Sequence, residues 1–415
     1  MQTNLADWIK ETPEGEEADA ILRKCVHCGF CLATCPTYQL TGDELDSPRG
    51  RIYLMKQVLE GAAVTEKTQH HLDRCLTCRS CETTCPSGVQ YGRLADIGRH
   101  VVEQKVGRGM GAALQRSLLK NALPSSTLFP AGLALGRTLK SFLPVSLAAK
   151  VMDKRDPGPR PAPRHDRHVL MLEGCVQPAM APSINAATAR LLDRLGISVV
   201  AATEAGCCGA LAHHLNDHSA SHDAIRRNID AWWPHIESGA EAIVVTASGC
   251  GTMVADYGHV LRGDAAYASK AKRVSELFCD VSTIIARERA SLVAQVAPSA
   301  SPSKRIAFHA PCSLQHGLKL RGVVEELLVA AGFELTAVPD GHLCCGSAGT
   351  YSILQPDLSG QLLRNKVVAL ESGKPEGVAT ANIGCLAHLE SGLATSSKAP
   401  IRHWVEWLEE RLQKK

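Results

Sequence analysis

The spacing of apolar residues divides this 415-residue chain into two parts. Up to residue 167 apolar residues recur at helical intervals, and Ile52, Met55 and Leu59 fall on one face of a predicted helix. Ser47 is a favourable N-terminal cap for that helix, and Gly61 is a favourable end. After residue 167 short apolar runs alternate with helical patterns. The pattern therefore predicts a chain that changes from α-helical to α/β.

The helical part contains further elements and a connector. Its other predicted helices are Ala18–Lys24, Lys67–Arg74 and Tyr91–Gln104. Residues 108–150 are apolar and poor in acidic residues, and Pro124, Pro130 and Pro144 interrupt them. We expect a helical connector that packs on a neighbour, with contact to a partner subunit or to the membrane surface as the alternative. Residues 152–167 are rich in proline and charge, which predicts a linker.

The second part contains an internal repeat. In the first copy we expect strands at 169–172, Ser198–Ala201 and Ala242–Thr246, and helices at 184–196 and 220–233. In the second copy we expect strands at 306–308, Glu334–Val338 and Gly377–Thr380, and helices at 318–331 and 358–371. Because strands and helices alternate, each copy is predicted to form a parallel sheet.

These patterns predict a multidomain protein, in which an α-helical domain, marked as ferredoxin-type by the cysteine spacing described below, precedes two repeated α/β cysteine-rich modules. The predicted units are residues 1–107 for the helical domain, 108–167 for the connector and linker, 168–292 for the first copy and 305–415 for the second copy. The intervening residues 293–304 are expected to be a linker between the copies.

Cysteine is unusually frequent, with 17 residues. The first residues of the chain include several acidic ones and no apolar core, so we expect no secretory signal and a reducing, cytoplasmic location. No apolar run reaches the roughly 18 residues that cross a membrane, which leaves a peripheral position on its inner face as the alternative. In a reducing compartment, dense cysteine indicates metal or redox chemistry.

Eight cysteines form two runs of identical spacing. Residues 25–36 read CVHCGFCLATCP and residues 75–86 read CLTCRSCETTCP, each a C-x2-C-x2-C-x3-C-P run. Bacterial two-cluster ferredoxins have this spacing, and the fourth cysteine of each run binds the other cluster. The predicted ligands of two [4Fe–4S] clusters are Cys25, Cys28, Cys31 and Cys85 for one, and Cys75, Cys78, Cys81 and Cys35 for the other. A zinc ribbon or a disulfide framework fits this spacing less well.

Two arginines lie on the helix between the runs. Arg49 and Arg51 would stabilise a reduced, anionic cluster and raise its potential if they lay beside it. A solvated helix face is the alternative.

Each copy of the repeat carries four cysteines at nearly matching offsets. They are Cys175, Cys207, Cys208 and Cys250 in the first copy, and Cys312, Cys344, Cys345 and Cys385 in the second. Loops that follow parallel strands gather at one edge of the sheet, so four thiols per copy are expected to converge. Such a group can hold an iron–sulfur cluster, hold zinc or remain as redox-active thiols.

Other residues near these loops have plainer interpretations. The nearby histidines His213, His214, His309 and His316 can act as ligands or donate to a quinone, but a structural role is the simpler expectation for each. Cys279 falls in a helical pattern outside the repeat, and we expect it in the core.

Composition and missing motifs exclude several functions. The net charge is +3 without a long basic run, so no nucleic-acid partner is expected. No phosphate-binding loop and no dinucleotide fingerprint after a strand occur, so no flavin or nucleotide site is expected on this chain. Clusters without a hydride-accepting cofactor cannot oxidise an organic substrate unaided. A partner protein is therefore expected.

The two cysteine runs followed by two Cys…Cys-Cys-Gly…Cys copies resemble the iron–sulfur subunits of the glycolate oxidase family. The likeness extends over nearly the whole chain and is strongest in residues 25–61 and 71–99. It implies a complex in which flavoprotein subunits carry FAD and oxidise glycolate to glyoxylate. This chain would relay electrons to a membrane quinone or another acceptor and would not itself be catalytic.

The chain departs from the related heterodisulfide reductase subunits. In those relatives each copy ends in C-x-x-C and five cysteines hold a non-cubane cluster, whereas Ala247 and Asn382 replace the first of those cysteines here. An iron–sulfur subunit of a lactate or glycerol-3-phosphate dehydrogenase complex is an alternative function. A thiol–disulfide reductase acting through the repeat cysteines and a zinc-stabilised scaffold are alternatives of other classes.

Overall fold

The computed structural model of the protein describes residues 1–144, 148, 150–296, 303–396 and 399–412. Among the described residues before the linker, regular structure is helical throughout. The helices are α1 (Asp7–Lys10), α2 (Pro13–Lys24), α3 (Pro36–Thr41), α4 (Pro48–Leu59), α5 (Glu66–Asp73), α6 (Ser80–Thr84), α7 (Tyr91–Val106), α8 (Met110–Ala122) and α9 (Leu128–Thr138). Single 3₁₀ turns occur at Glu44–Asp46 and Lys140–Phe142.

The helix ends follow signals in the sequence. Ser47 caps α4, because its Oγ accepts the backbone N–H of Gly50 at 2.9 Å. Thr12 caps α2 in the same way, so this helix begins at Pro13 and is longer than the predicted Ala18–Lys24. The other predicted helices of this region are confirmed as α5 and α7.

A close contact between α4 and α7 forms the core of the helical region. Ile52, Met55 and Leu59 are buried, as their helical spacing predicts. Gly98 of α7 faces Met55, and a Cβ atom at Gly98 would lie only 2.5 Å from the Met55 Cγ atom. A larger residue at this position would therefore push the two helices apart.

The connector lies on the outside of the molecule, and neither α8 nor α9 buries a residue. Pro130 does not interrupt the connector as predicted, because it occupies the first turn of α9, where a missing N–H costs no helical bond. Pro124 does separate α8 from α9, as predicted. Residues 145–147 and 149 of the predicted connector lie outside the described residues. The large apolar side chains that the connector exposes are Met110, Leu114, Leu118, Leu128, Leu135, Leu139 and Phe142.

Each copy of the repeat is an α/β unit. The first contains β1 (His168–Leu172), α10 (Gln177–Met180), α11 (Ser183–Arg194), β2 (Ser198–Val200), α12 (Ala210–His214), α13 (His218–Glu237), β3 (Ile243–Val245), α14 (Ser248–Ala255), α15 (Tyr257–Val260), α16 (Ala268–Leu277), β4 (Phe278–Asp280), α17 (Val281–Arg287) and α18 (Arg289–Val293). The second contains β5 (Arg305–His309), a π-helical turn (Ser313–Gly317), α19 (Val323–Ala330), β6 (Glu334–Thr336), α20 (Tyr351–Leu354), α21 (Pro356–Glu371), β7 (Gly377–Thr380), α22 (Ile383–Ser396), β8 (Ile401–His403) and α23 (Trp404–Glu410).

The two sheets have the same topology. Their strand orders are β2-β1-β3-β4 and β6-β5-β7-β8, and every pair of neighbours is parallel, as predicted. Leu170 pairs with Ile243 in the first sheet, and Ala307 pairs with Val378 in the second. The carboxyl ends of the strands therefore lie at one edge of each sheet, which is where the cysteines follow.

Three sequence predictions about the repeat need correction. The edge strands β4 and β8 were not expected, because three residues are too few to show an alternating pattern. Cys279 lies in β4 and not in a helix, although it is buried in the core as predicted. The helix predicted at 318–331 begins only at Val323, because the backbone at Lys319 and Gly322 adopts a positive φ.

The two copies share one hydrophobic core. Helix α23 of the second copy packs on α11 of the first, and Trp404 and Trp407 are completely buried in this core. The imidazole of His403 contacts the Thr246 carbonyl at 3.0 Å, and Ser183 donates to Glu406 at 2.7 Å. We conclude that the copies form one continuous body.

The helical region contacts both copies. On the first copy, Asp96 of α7 faces His213 at 3.5 Å. The imidazole rings of His100, His213 and His218 stack edge to face beside this pair, with centroids 4.4 and 5.0 Å apart. On the second copy, the Tyr351 hydroxyl donates to the Arg74 carbonyl at 3.0 Å. These contacts fix the cysteine runs relative to the repeat.

The histidine contact with the first copy predicts a loss of stability in mild acid. Burial and the neighbouring rings of His213 and His100 lower the pKa of His218 from 6.5 to about 4. The neutral ring is favoured in the folded chain, so its stabilising contribution is present above pH 6.5 and is lost as the pH falls to about 4. We expect the thermal unfolding temperature, followed by calorimetry, to fall over this range.

In His218→Gln the unfolding temperature should fall less steeply over the same pH range. His235→Gln changes a histidine on the same helix, α13, at its far end, and should keep the wild-type pH dependence. Equal slopes for His218→Gln and the wild type would contradict the assignment.

Candidate metal centres

The two cysteine runs adopt the same unusual backbone. In the first run His27 and Gly29, which flank Cys28, have φ of 57° and 84°. In the second run Thr77 and Arg79, which flank Cys78, have φ of 52° and 58°. This left-handed pattern curls each run around its thiols, and the Thr77 N–H points at the Cys75 Sγ at 3.4 Å. The strain at these positions is a cost that the folded runs share.

The first hollow is lined by cysteines from both runs. The cysteines that line it include Cys25, Cys28, Cys31 and Cys85, together with Cys81. The arrangement places the last thiol of the second run against the first three of the first run, as the spacing predicts. A buried ring nitrogen of His27, Nε2, has no hydrogen-bond partner and also lies at this hollow.

The second hollow is adjacent and has the reciprocal composition. The cysteines that line it are Cys35, Cys75, Cys78 and Cys81. Pro48, Cys81 and Tyr91 border both hollows, so the two sites are separated by single side chains. The Tyr91 hydroxyl donates to the Cys75 Sγ at 3.5 Å. The geometry thus brings the eight predicted residues into two crossed groups.

A buried arginine lies beside the second hollow. Arg51 is 1% exposed and donates to the Thr37 hydroxyl at 3.1 Å and the His71 carbonyl at 2.7 Å. Its partner carboxylate Asp46 is also completely buried, and it accepts from Arg74 as well, at 2.7 Å. One carboxylate therefore serves two guanidinium groups, which leaves positive charge at this hollow.

The predicted role of the two arginines is resolved by burial. Arg51 lies against the second hollow, whereas the Arg49 side chain is 33% exposed at the rim of the first. The solvated-face alternative therefore applies in part to Arg49 and does not apply to Arg51.

The thiol pKa values reflect these surroundings. Burial, with the neighbouring Cys25, raises the pKa of Cys31 to about 11. Burial also raises the pKa of Cys78 and Cys81 well above the ordinary range. Burial acts in the same direction on Cys75, but the guanidinium groups of Arg51 and Arg99 outweigh it and lower its pKa. Metal binding at these thiols would release protons, since a ligating cysteine is a thiolate.

The four cysteines of the first copy converge, as predicted. The thiols of Cys175, Cys207, Cys208 and Cys250 lie close enough together to shift one another's pKa values. Cys250 lies in the first turn of α14 and not in a loop before it. The Tyr257 hydroxyl donates to the Cys208 carbonyl at 2.9 Å. Beside these thiols the strand β1 ends in an apolar residue, Leu172.

The four cysteines of the second copy also converge. The Sγ atoms of Cys312 and Cys344 are 3.8 Å apart, and Cys385 lies in the first turn of α22. A ligand atom of His309 and the Sγ atoms of Cys345 and Cys385 all lie within 4.8 Å of one another. The other predicted histidines lie elsewhere: His316 bonds to Thr83, and His213 and His214 face Asp96.

The second copy meets the second hollow directly. Cys78 and Cys312 pack against one apolar cluster formed by Leu76, Cys344 and Tyr351 with Leu362. The charges of Cys312 and Cys78 are close enough that a thiolate at Cys312 raises the pKa of Cys78. Three groups of thiols therefore follow one another through the molecule: the first hollow, the second hollow and the second copy.

Some residues at these sites carry no signal in the sequence. Tyr91, Arg99 and Lys366 lie among ordinary helical positions, and only the fold brings them to the thiols. Lys366 is 3% exposed and donates to the Asp340 carbonyl at 2.8 Å, near the thiols of the second copy. The eight thiols of the two hollows range from buried, as at Cys25, Cys35 and Cys81, to exposed at Cys28. Hydrogen-bond donors or cations lie beside them, an arrangement that fits [4Fe–4S] clusters.

Comparisons with known proteins agree with this arrangement. A family model described as a 4Fe–4S dicluster domain matches residues 21–89. A second model, described as a cysteine-rich domain, matches twice, over residues 169–255 and 306–390. These matches coincide with the two cysteine runs and with the two copies. The chain is an iron–sulfur protein of the class that joins a dicluster domain to paired cysteine-rich domains.

Relatives specify the family. The glycolate oxidase iron–sulfur subunit of Escherichia coli is 56% identical over 415 residues, which is 100% of both chains. A probable glycolate oxidase iron–sulfur subunit of Bacillus subtilis is 29% identical over 90% of this chain and 89% of its own length. Lactate utilization protein A of Bacillus velezensis is 28% identical over 59% of this chain and 99% of its own. The chain belongs to the family of glycolate oxidase iron–sulfur subunits.

The buried arginine predicts an electrostatic effect on one cluster only. A cluster bound in the second hollow would lose a nearby cation in Arg51→Gln, so its reduction potential should fall by about 50–100 mV. EPR-monitored redox titration of the anaerobic protein measures this shift.

Arg49→Gln is the matched control, because it removes the same charge at the rim of the first hollow. In Arg49→Gln we expect a smaller change in the reduction potential of a cluster in the first hollow, and no change in that of a cluster in the second. An unchanged potential in Arg51→Gln would refute the electrostatic role.

Proposed function

We propose that this chain is the electron-transfer subunit of a complex that oxidises glycolate to glyoxylate. The observation that carries the proposal is the pair of adjacent hollows, which the eight cysteines of the two runs line in crossed fashion. The full-length similarity to a glycolate oxidase iron–sulfur subunit supports the choice of glycolate.

In this proposal the cysteines hold two [4Fe–4S] clusters. Cys25, Cys28, Cys31 and Cys85 bind one, and Cys75, Cys78, Cys81 and Cys35 bind the other. A bound [4Fe–4S] cluster accepts and donates single electrons. The chain supplies the thiolates, the cation of Arg51 and the hydroxyl donor of Tyr91, and it excludes water from the second hollow. The short separation of the hollows favours transfer from one to the other.

The oxidation itself is assigned to partner subunits. The sequence offers no nucleotide-binding fingerprint, so FAD is placed on flavoprotein partners, and the proposed final acceptor is a membrane quinone. A lactate- or glycerol-3-phosphate-oxidising complex is the second candidate, and the lactate utilization relatives favour lactate within it. A thiol–disulfide reductase is less well supported, because three of the second copy's four thiols, Cys344, Cys345 and Cys385, are buried.

We further propose that the protein works at the inner surface of the cell membrane. Residues 104–152 contain seven Lys or Arg and no Asp or Glu, and the apolar side chains of α8 and α9 are exposed. An apolar face in a basic segment suits the surface of a membrane with anionic lipids. Within the described residues, no helix meets the length and hydropathy needed to cross a bilayer.

The relay predicts separable effects on the two half-reactions. Cys28→Ser and Cys78→Ser should each remove a cluster and abolish electron transfer from glycolate to quinone by the purified complex. Reduction of an artificial dye directly by the flavoprotein subunits should persist. Parallel assays with the two acceptors measure this.

Cys279→Ser is the matched control, because this buried cysteine lies in β4, away from the hollows. It should keep both activities. Undiminished transfer to quinone in the two cluster variants would refute the relay.

The exposed connector predicts binding to anionic lipid. Leu118→Glu on the apolar face of α8 should weaken co-sedimentation of the complex with phosphatidylcholine–phosphatidylglycerol vesicles by about tenfold, because one leucine contributes about 1.5–3 kcal/mol on burial. Ala112→Glu adds the same charge at an exposed position on the opposite side of the same helix and should weaken it much less. Equal binding by both variants would contradict a membrane contact, and loss of the flavoprotein subunits from Leu118→Glu would assign this face to them.

A further inference from the structure

The two copies of the repeat differ at one position beside their thiols. Strand β5 ends at His309, three residues before Cys312, and strand β1 ends at Leu172, three residues before Cys175. The sheets have the same strand order, so His309 and Leu172 occupy equivalent places. An imidazole in one copy thus replaces an apolar side chain in the other.

His309 is buried with one ring nitrogen free. The residue is 2% exposed, and its Nδ1 lies 3.0 Å from the Thr380 hydroxyl. Its Nε2 is buried and has no hydrogen-bond partner. With the proton on Nδ1 donated to Thr380, Nε2 carries a free lone pair. A ring held by a hydrogen bond at one nitrogen is the usual arrangement of a metal-ligating histidine.

The His309 imidazole belongs to a larger donor group. His309 shares the 4.8 Å group with the thiols of Cys345 and Cys385, and the Asn382 amide lies 3.6 Å from the Cys385 Sγ. Cys344 connects this group to Cys312, since their Sγ atoms are 3.8 Å apart. Four thiols and one imidazole therefore surround one region.

The shape and charge of this region favour a cluster over a single ion. Adjacent residues such as Cys344 and Cys345 cannot both reach one tetrahedral ion without strain, whereas several irons offer separate positions. The buried side chain of Lys366 interacts electrostatically with Cys345, Cys344 and Cys312. Its ammonium group would offset part of the negative charge of several thiolates. Asn228, the buried residue on the equivalent helix of the first copy, is uncharged and bonds to the Cys207 carbonyl.

We propose that the second copy holds a third iron–sulfur cluster, bound by Cys312, Cys344, Cys345 and Cys385 with His309 Nε2 as an additional ligand, and that the first copy holds none. The proposal rests on the relay described above. One electron would pass to this centre from the cluster of the second hollow, so that the donor cluster becomes oxidised and this centre becomes reduced. The path would cross the apolar cluster against which Cys78 and Cys312 both pack. Because histidine ligation raises the potential of a cluster, this centre suits the exit of the relay.

The test begins with metal content of the purified complex under anaerobic conditions. We expect about twelve irons per chain, and about eight after Cys312→Ser, since each [4Fe–4S] cluster holds four. Cys175→Ser, the equivalent change in the first copy, should leave the iron content unchanged. About eight irons in the wild type, or stoichiometric zinc, would overturn the third cluster while leaving the two-cluster relay intact. A chain without iron would overturn the relay as well.

The role of His309 is tested by spectroscopy. Pulsed EPR of the reduced complex should show nitrogen hyperfine coupling from one cluster, and ¹⁵N-histidine labelling should change that coupling. His309→Cys should keep about twelve irons, lose the coupling and lower that cluster's potential, because thiolate replaces imidazole.

Two further variants complete this test. His309→Leu, which installs the residue found in the first copy, should lose the coupling with or without its iron. His342→Leu, a histidine of the same copy outside the 4.8 Å group, should retain both coupling and iron. Nitrogen coupling that persists in His309→Cys would overturn the ligand assignment, even if His309→Leu failed to fold.

Discussion

Burying several thiolates close together is possible only where the protein supplies compensating charge and hydrogen bonds, and much of this structure serves that requirement. Arg51 and Asp46 are both removed from solvent, and the pair would be costly in an ordinary core. Beside the second hollow, however, the guanidinium groups outnumber the carboxylates, and this excess positive charge compensates the negative charge of the thiolates. Helix α4 carries this arginine inward, and its close packing on α7 across Gly98 holds the position.

The sequence predicts the local chemistry well and the assembly only in part. Cysteine spacing alone predicts the crossed groups of Cys25 with Cys85 and of Cys35 with Cys75, and the geometry brings those residues together. Helix caps such as Ser47 are equally readable, because capping depends on neighbouring residues. The burial of Arg51 rather than Arg49 cannot be predicted in this way, since the two sides of one helical turn acquire different surroundings only once the fold is formed. The short strand containing Cys279 is missed for the same reason: its pairing partner is distant in sequence.

Duplication has produced two α/β copies with one topology and different surroundings. The second copy contacts the second hollow through Cys78 and Cys312, while the first copy meets the helical region through His213 and Asp96. The shared core, with Trp404 and Trp407 completely buried in it, makes both contacts parts of one body. One copy is thus placed to exchange electrons, and the other is placed to hold the helical region in position.

The crossing of the cysteine runs also constrains how the protein can be made. Neither four-thiol group is complete until the second run has been synthesised, to Cys81 for one group and to Cys85 for the other, so a nascent chain that ends between the runs offers only incomplete sites. The left-handed backbone at His27 and Thr77 is costly without a partner to stabilise it, which leaves each run alone poorly ordered. Both centres would then be filled in a single maturation event after synthesis of the helical region. A scaffold that delivers clusters must recognise the pair of runs and not either run separately.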